Sequence, residues 1–165
     1  MLRPRSLDHP DAVALATRLQ AYYCAIYGGD DGTSVDVSEF APPLGRFVVG
    51  YVDGIAVVCG GWRARDTADD PALLAGDAEL KRLFVDPAER GRGHASAVLV
   101  DLERTAAEAG RRRMVLETGI SQPEAIALYV SAGYTPIPPY GAYRDEIGSR
   151  HFAKSLLGEK AREGA

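Results

Sequence analysis

Two glycines and two arginines within Arg90-Gly91-Arg92-Gly93-His94-Ala95 are the residues of this chain best suited to act on a ligand. The segment before them, Ala78 to Asp86, reads as a strand closed by Pro87. The segment after them reads as a helix running to Ala109, with Gly110 at its end. Glycine lets a backbone approach a ligand closely, and the first amides of a helix point outward at the positive end of its dipole. A strand–loop–helix turn of this kind makes an anion site suited to a pyrophosphate, and Arg90 and Arg92 add charge. An ordinary strand-to-helix turn has the same outline, so the fragment alone leaves both readings open. The loop is not Gly-x-x-x-x-Gly-Lys-Ser/Thr, which excludes a P-loop. It also lacks the Gly-x-Gly-x-x-Gly fingerprint and the later ribose-binding acid of a dinucleotide fold. No His, Cys and Asp stand at metal-ligand spacing, so no metal is expected, and no Gly-x-Ser-x-Gly elbow suggests a serine hydrolase.

The elements that must position this loop follow from periodicity. Asp8 to Tyr27 reads as a helix, with Asp8 as cap, Pro10 in the first turn, and Leu15, Leu19, Tyr22 and Ile26 at helical spacing. Gly28-Gly29 ends it, and Asp30 to Gly45 reads as a loop with room for a short helical turn. Alternation then replaces the helical period: Arg46 to Val52 and Ile55 to Trp62 flank Asp53-Gly54, a strong hairpin signal. An acidic stretch, Arg65 to Asp77, leads into the strand at Ala78. In the helix after the loop, Val98, Leu102 and Ala106 form the apolar stripe. Met114 to Thr118 reads as a buried strand. Gln122 to Ala132 reads as a helix with Ser121 and Glu124 as capping box and Gly133 at its end. Arg150 to Leu157 supplies a last strand. The order predicts an α/β protein with a mixed central sheet.

Composition bounds the rest. The chain has 165 residues, 46% hydrophobic and 25% charged, which excludes collagen-like, low-complexity and disordered classes. A formal charge of −4 gives no global attraction to nucleic acid or anionic lipid. The apolar run Ile55 to Cys59 falls far below the roughly 20 residues that span a membrane. Met1-Leu2-Arg3-Pro4-Arg5 does not open an apolar signal core, which predicts a cytoplasmic protein. Cys24 and Cys59 are too few for a disulfide framework and read as small buried hydrophobes.

Arg90-x-x-Gly93-x-Ala95 resembles the Arg/Gln-x-x-Gly-x-Gly/Ala signature of the GNAT superfamily of acyl-CoA-dependent N-acetyltransferases. Glu79-Leu80-Lys81-Arg82-Leu83-Phe84-Val85 is similar to that family's fourth strand. Gln122-Pro123-Glu124-Ala125-Ile126 through Tyr129 and Gly133-Tyr134 resembles its second motif, which ends in Tyr-x-x-x-Gly-Tyr. The two motifs stand in the right order over about Glu79 to Tyr134. With Tyr140-Gly141-x-Tyr143 they are similar to small bacterial members.

The resemblance implies one N-acetyltransferase domain over 1–165, with core motifs about 79–134. It implies a GNAT-like mixed central β-sheet flanked by helices, whose central strands, around Phe84 and Leu116, splay at a bulge to form the acyl-CoA cleft. Acetyl-CoA would be the acetyl donor. The backbone of Leu83, Phe84 and Val85 would pair with its pantetheine arm, and Arg90, Gly91, Arg92, Gly93, His94, Ala95 and Ser96 would hold its pyrophosphate. Gln122 stands where the family usually carries Asn, which changes one contact to that arm. Ala95 replaces a glycine, as the signature allows.

The implied chemistry is aminolysis of a thioester. Only about one in a thousand alkylamine molecules is unprotonated at pH 7, so the reaction gains from a base. By the resemblance Glu79 is that base, a strand amide near Phe84 stabilises the oxyanion, and Tyr129 protonates or hydrogen-bonds the leaving sulfur. A solvent-facing strand-end glutamate and a core helix tyrosine are the competing readings. The expected acceptor is the primary amine of a small molecule or amino-acid-like compound. A protein or peptide α-amine, or a catalytically silent acyl-CoA-binding module, is the alternative. No nucleic-acid or membrane partner is expected, and a homodimer is common in the family.

Weaker candidates remain. His94 is a loop residue before it is a base. Arg111-Arg112-Arg113 either meets a 3′-phosphate or RNA, or sits as a solvated cationic face. Tyr22, Tyr23, Trp62, Tyr140 and Tyr143 line an acceptor pocket or pack in the core. Asp30, Asp31, Asp36 and Glu39 hint at a cationic acceptor or are loop charges.

Overall fold

Ala12, Leu15 and Leu19 fall on one face of a helix, and that face is buried in the first helix, α1, Pro10–Tyr27. The computed structural model describes residues 1–29, 35–66 and 70–158. His9, not Asp8, caps α1: its Nδ1 accepts the Asp11 amide at 3.2 Å, while Asp8 takes the Ser6 hydroxyl. Pro10 opens the helix, where its missing amide costs nothing, and the residue before it is therefore the N-cap. Gly28, at φ 74°, closes the helix in the left-handed conformation.

The hairpin forms as its turn residues require. Strands β2 (Gly45–Val52) and β3 (Ile55–Arg65) join through Asp53 and Gly54, both at positive φ (48° and 80°), with Val52 opposite Ile55. A short first strand, β1 (Leu2–Pro4), pairs antiparallel with β2. Then follow β4 (Asp77–Val85), α2 (His94–Glu108), β5 (Arg113–Gly119), α3 (Pro123–Ser131), β6 (Thr135–Pro136) and β7 (Ser149–Ser155). The seven strands form one mixed sheet in the order β1-β2-β3-β4-β5-β7-β6, with β4 and β5 parallel and helices flanking it. Gln122, not Ser121, occupies the N-cap of α3, and its side chain makes no capping hydrogen bond to the helix, so the expected Ser121–Glu124 box is not formed. Strands β1 and β6 are too short for a periodic signal.

The β4–β5 ladder pairs Asp77 with Arg113, Ala78 with Met114 and Glu79 with Val115. Further along β4, Arg82 takes φ 57°, a left-handed conformation uncommon for a side chain of its size. The chain divides into two compact units, Met1–Arg63 with Lys81–Leu102, and Ala64–Leu80 with Glu103–Ala165. In the first unit Leu15, Leu19, Phe47, Val49, Cys59 and Phe84 form the core, and Phe40 meets Phe47 edge-on at 6.1 Å. In the second, Val115 and Ala153 face each other across β5 and β7 and pack with Leu73 and Tyr140. Each such buried side chain contributes about 1.5–3 kcal/mol.

Candidate active site

In the first unit, β4 runs out through Leu83, Phe84 and Val85 into an exposed loop. Asp86 starts a 3-10 turn, Pro87–Glu89, by accepting the Ala88 amide at 3.0 Å. Arg18 reaches Asp86 at 2.7 Å. Its hydrogen bond, ahead of the Ala88 amide, holds the Asp86 carboxyl below the usual carboxylate range. Gly91 and Gly93 then take φ 74° and 81°, and a Cβ built on either meets nothing within 4 Å. Their glycine character therefore answers to backbone conformation and outward access, not to neighbouring protein atoms. Arg90 lies over the Tyr22 ring at 5.0 Å, Arg92 pairs with Glu89 at 2.9 Å, and His94 Nε2 stands 3.5 Å from Glu89. Ala95 and Ser96 are the next residues of α2. The exposed amides at the start of a 15-residue helix, two glycine turns and two arginines fit an anionic group such as a pyrophosphate.

The second unit carries the opposite kind of site. Residues opposite one another in a sheet share a face, so the register puts Glu79 of β4, Val115 and Glu117 of β5, and His151 and Ala153 of β7 on the same side. Glu79 is 2% exposed and meets Arg65 at 2.9 Å. Asp77, fully buried, holds Arg113 through Nε at 2.8 Å and Nη2 at 2.7 Å. Asp70 fastens the covering loops: it accepts the amides of Gly141 at 2.9 Å and Ala72 at 3.2 Å, and pairs with Arg144 at 2.9 Å. Burial raises the Asp70 carboxyl's pKa, but the Gly141 and Ala72 amides and the Arg144 and Arg65 charges outweigh it, and the net shift is downward.

Tyr129 is buried on α3, its ring 5.8 Å from that of Tyr134, and burial pushes its phenol above the ordinary tyrosine range. Tyr134 is itself fixed by Glu103 at 3.0 Å, which also takes Lys154 at 2.7 Å. Gln122 lies at the head of the same helix.

Glu79, Tyr129 and Gln122 thus belong to one unit, and Leu83, Phe84, Val85 and the 90–96 loop to the other. The competing picture of Glu79 as a solvent-facing residue is corrected by its burial.

The weaker candidates resolve differently. Arg111 pairs with the exposed Asp66 at 3.0 Å, Arg113 with the buried Asp77, and Arg112 packs along Gly76, so Arg111 and Arg113 serve the chain's own carboxylates. Trp62 is core, and Cys24 is exposed whereas Cys59 is buried. Asp36 and Glu39 are engaged in a mutual capping box, and Glu39 also pairs with Arg63 at 2.8 Å. Asp30 and Asp31 lie outside the described residues. Sequence reasoning missed Arg65, Asp70, Glu117 and His151. For Glu117 and His151 the signal was a charged residue inside an apolar strand; Arg65 ends β3 and Asp70 lies in a loop, where no strand pattern marks them.

The model of the Acetyltransferase (GNAT) family matches residues 14–134. The chain belongs to this family. A curated relative, the IAA acetyltransferase of Azospirillum brasilense, is 34% identical over 87% of this chain and 90% of its own length. A solved Klebsiella pneumoniae structure, proposed to be an acyl-CoA N-acyltransferase, is 26% identical with a TM-score of 0.78, covering 95% of this chain and 97% of that one. An aminoglycoside 6'-N-acetyltransferase complexed with coenzyme A shares the fold, with a TM-score of 0.66 at 14% identity over 96% and 98% of the two chains. This GNAT acetyltransferase is an acyltransferase enzyme, and acetyl-CoA is the donor its family uses. Among the described residues no helix is long and apolar enough to cross a membrane, and no group of His, Cys, Asp and Glu could hold a metal.

Proposed function

We propose that this enzyme, acting as one catalytic domain over the whole chain, moves the acetyl group of acetyl-CoA directly to the primary amine of a small-molecule or amino-acid-like acceptor. The observation that carries the reading is Glu79. A carboxylate buried to 2% and paired with Arg65 is rare unless it has work to do inside the protein, and a slender amine reaches such a group more readily than a folded chain does. Glu79 takes the ammonium proton, directly or through water.

Acetyl-CoA supplies the thioester carbonyl. Its pyrophosphate fits the amides of Arg90 to Ser96, its pantetheine arm fits the backbone of Leu83, Phe84 and Val85, and Gln122 offers that arm a side-chain contact. Tyr129 stays protonated throughout the neutral range because burial raises its phenol. Full transfer to a thiolate, whose conjugate thiol has a pKa of about 8.5, is uphill for it, so it serves the leaving sulfur by a hydrogen bond. Direct transfer also fits the cysteines: burial, the larger effect, pushes the Cys59 thiol up to about 12, which suits no nucleophile, and Cys24 lies exposed on α1.

The test is a thermal-unfolding titration with acetyl-CoA, with ATP and NAD as controls, followed by thiol release with primary amines. Near 100 times Kd, binding adds about 2.7 kcal/mol, a rise of roughly 5–11 °C for a chain this size. No shift at millimolar acetyl-CoA overturns the reading. A shift with no thiol release for any amine assigns a silent binding module instead.

A further inference from the structure

Tyr140 is 1% exposed, yet its hydroxyl has no hydrogen-bond partner among the described residues. Everything else about it is fixed. Its carbonyl accepts from His151 Nε2 at 3.0 Å, which requires that nitrogen to carry its proton, since a carbonyl only accepts. The next amide, Gly141, is held by Asp70 at 2.9 Å, and the Tyr140 ring meets the His151 ring edge-on at 5.0 Å. The backbone and ring are thus anchored by contacts that leave the phenol's polar end unused. Burial raises this phenol most, and the Glu79 and Glu117 charges raise it further; its ring packs on His151, which Glu117 approaches at 3.6 Å, on the face that strand register also gives to Glu79. A buried, unpaired hydroxyl is a net loss to the fold, and phenylalanine would fill the same space without it.

The charges around this hydroxyl are unbalanced. Asp77 is matched by Arg113 at 2.7 Å and Glu79 by Arg65 at 2.9 Å. Among the described residues Glu117 is met only by the edge of His151, at 3.6 Å, beyond hydrogen-bonding distance, and that His151 nitrogen already gives its hydrogen to the Tyr140 carbonyl. Among the described residues, this face of the second unit therefore carries Glu117 without a guanidinium partner, beside one unused hydroxyl.

We propose that Tyr140 and Glu117 are specificity-determining residues that hold the ammonium end of a cationic alkylamine acceptor beside Glu79. The Tyr140 oxygen accepts an N–H of the ammonium, and Glu117 supplies the balancing charge. The inference rests on the reading of the enzyme as a small-amine acetyltransferase with Glu79 as base, and it names the residues that choose the amine.

The test compares wild type with Tyr140→Phe and Glu117→Gln, using butylamine and ethanolamine as probes and butanol as the uncharged match. Amine-induced thermal shifts are read first, then steady-state thiol release with acetyl-CoA. The expected result is an amine KM about tenfold higher or more in each variant, the factor a hydrogen bond to a charged group carries, with the acetyl-CoA KM unmoved. Tyr140→Phe should also have a melting temperature equal to or above wild type, because the hydroxyl serves the ligand and not the fold. A melting temperature lowered in Tyr140→Phe, or an amine KM unchanged in both variants, overturns the proposal. If wild type releases no thiol with any amine, the transferase reading fails on its own. The amine thermal shift then decides: a shift in wild type lost in Tyr140→Phe keeps the site, and no shift in wild type, or butanol shifting it equally, removes it.

Discussion

The loop of the first unit and the polar face of the second are built in opposite ways. Residues 90–96 are largely exposed, and their side chains lean on one another or on a ring, as Arg92 does on Glu89 and Arg90 on Tyr22. What they offer a ligand is backbone: positive-φ glycines and the first amides of α2. The face with Glu79, Glu117, Tyr140 and His151 offers side chains, nearly all buried, on a floor set by strand register. A backbone site suits a co-substrate whose phosphates are the same for every relative. A side-chain site suits an acceptor that differs from one relative to the next. The loop should therefore tolerate side-chain changes that keep its backbone, and the face should tolerate almost none.

The largest effect is expected at Glu79. Glu79→Gln keeps the shape and removes the proposed base, so kcat with an amine should fall about a hundredfold or more, with little change in the acetyl-CoA KM. The defect should shrink as pH rises, because the share of unprotonated amine grows about tenfold per pH unit below its pKa near 10. A pH–rate profile of the variant that parallels wild type would remove Glu79 from proton transfer. Next comes Gly93→Val. No neighbouring atom opposes the new side chain, so its effect is purely conformational: φ 81° costs a β-branched residue on the order of 1–2 kcal/mol. The acetyl-CoA KM should rise about tenfold as the loop shifts to a different φ, while kcat at saturating donor holds.

The same contrast explains what could be read from the sequence. The loop is contiguous, so its spacing, read together with the resemblance to a known family, singled out Arg90, Gly91, Arg92 and Gly93 as candidates, and the capping glycines and the Asp53-Gly54 turn marked most of the elements around it. The buried face is assembled from β4, β5, β7 and two loops, and Glu117 meets His151 only through a register that no local pattern announces. Arg65 and Asp70 looked like part of an acidic, loosely structured stretch. They are instead bound into the fold by Glu79, Gly141 and Arg144. The strands β1 and β6 exist through their partners alone.

A smaller effect, on stability, tests how rigidly the face is built. The Asp70 carboxyl is depressed in the folded state, so its contribution is present above the unfolded value of about 3.9 and is lost as pH falls through the folded one. Asp70→Asn should melt several degrees below wild type near neutral pH, and the two curves should converge as pH drops below about 4. A difference that persisted in acid would trace the loss to shape and not to charge.

The smallest effect is expected at Arg92, and it discriminates most sharply between backbone and side-chain recognition. Its side chain is 60% exposed and already shared with Glu89, so at ordinary ionic strength Arg92→Ala should change the acetyl-CoA KM by less than about threefold. In the proposed binding mode Arg92 contributes a screened charge near the phosphates, and screening weakens when the Debye length grows from about 8 Å to about 30 Å in dilute buffer. The Arg92→Ala defect should therefore widen as salt is removed, while the Gly93→Val defect, which is conformational, stays put. Titrating both variants against ionic strength separates the two. If Arg92→Ala is the more damaging at physiological salt, the loop is a side-chain site after all, and the two regions of the enzyme differ only in burial.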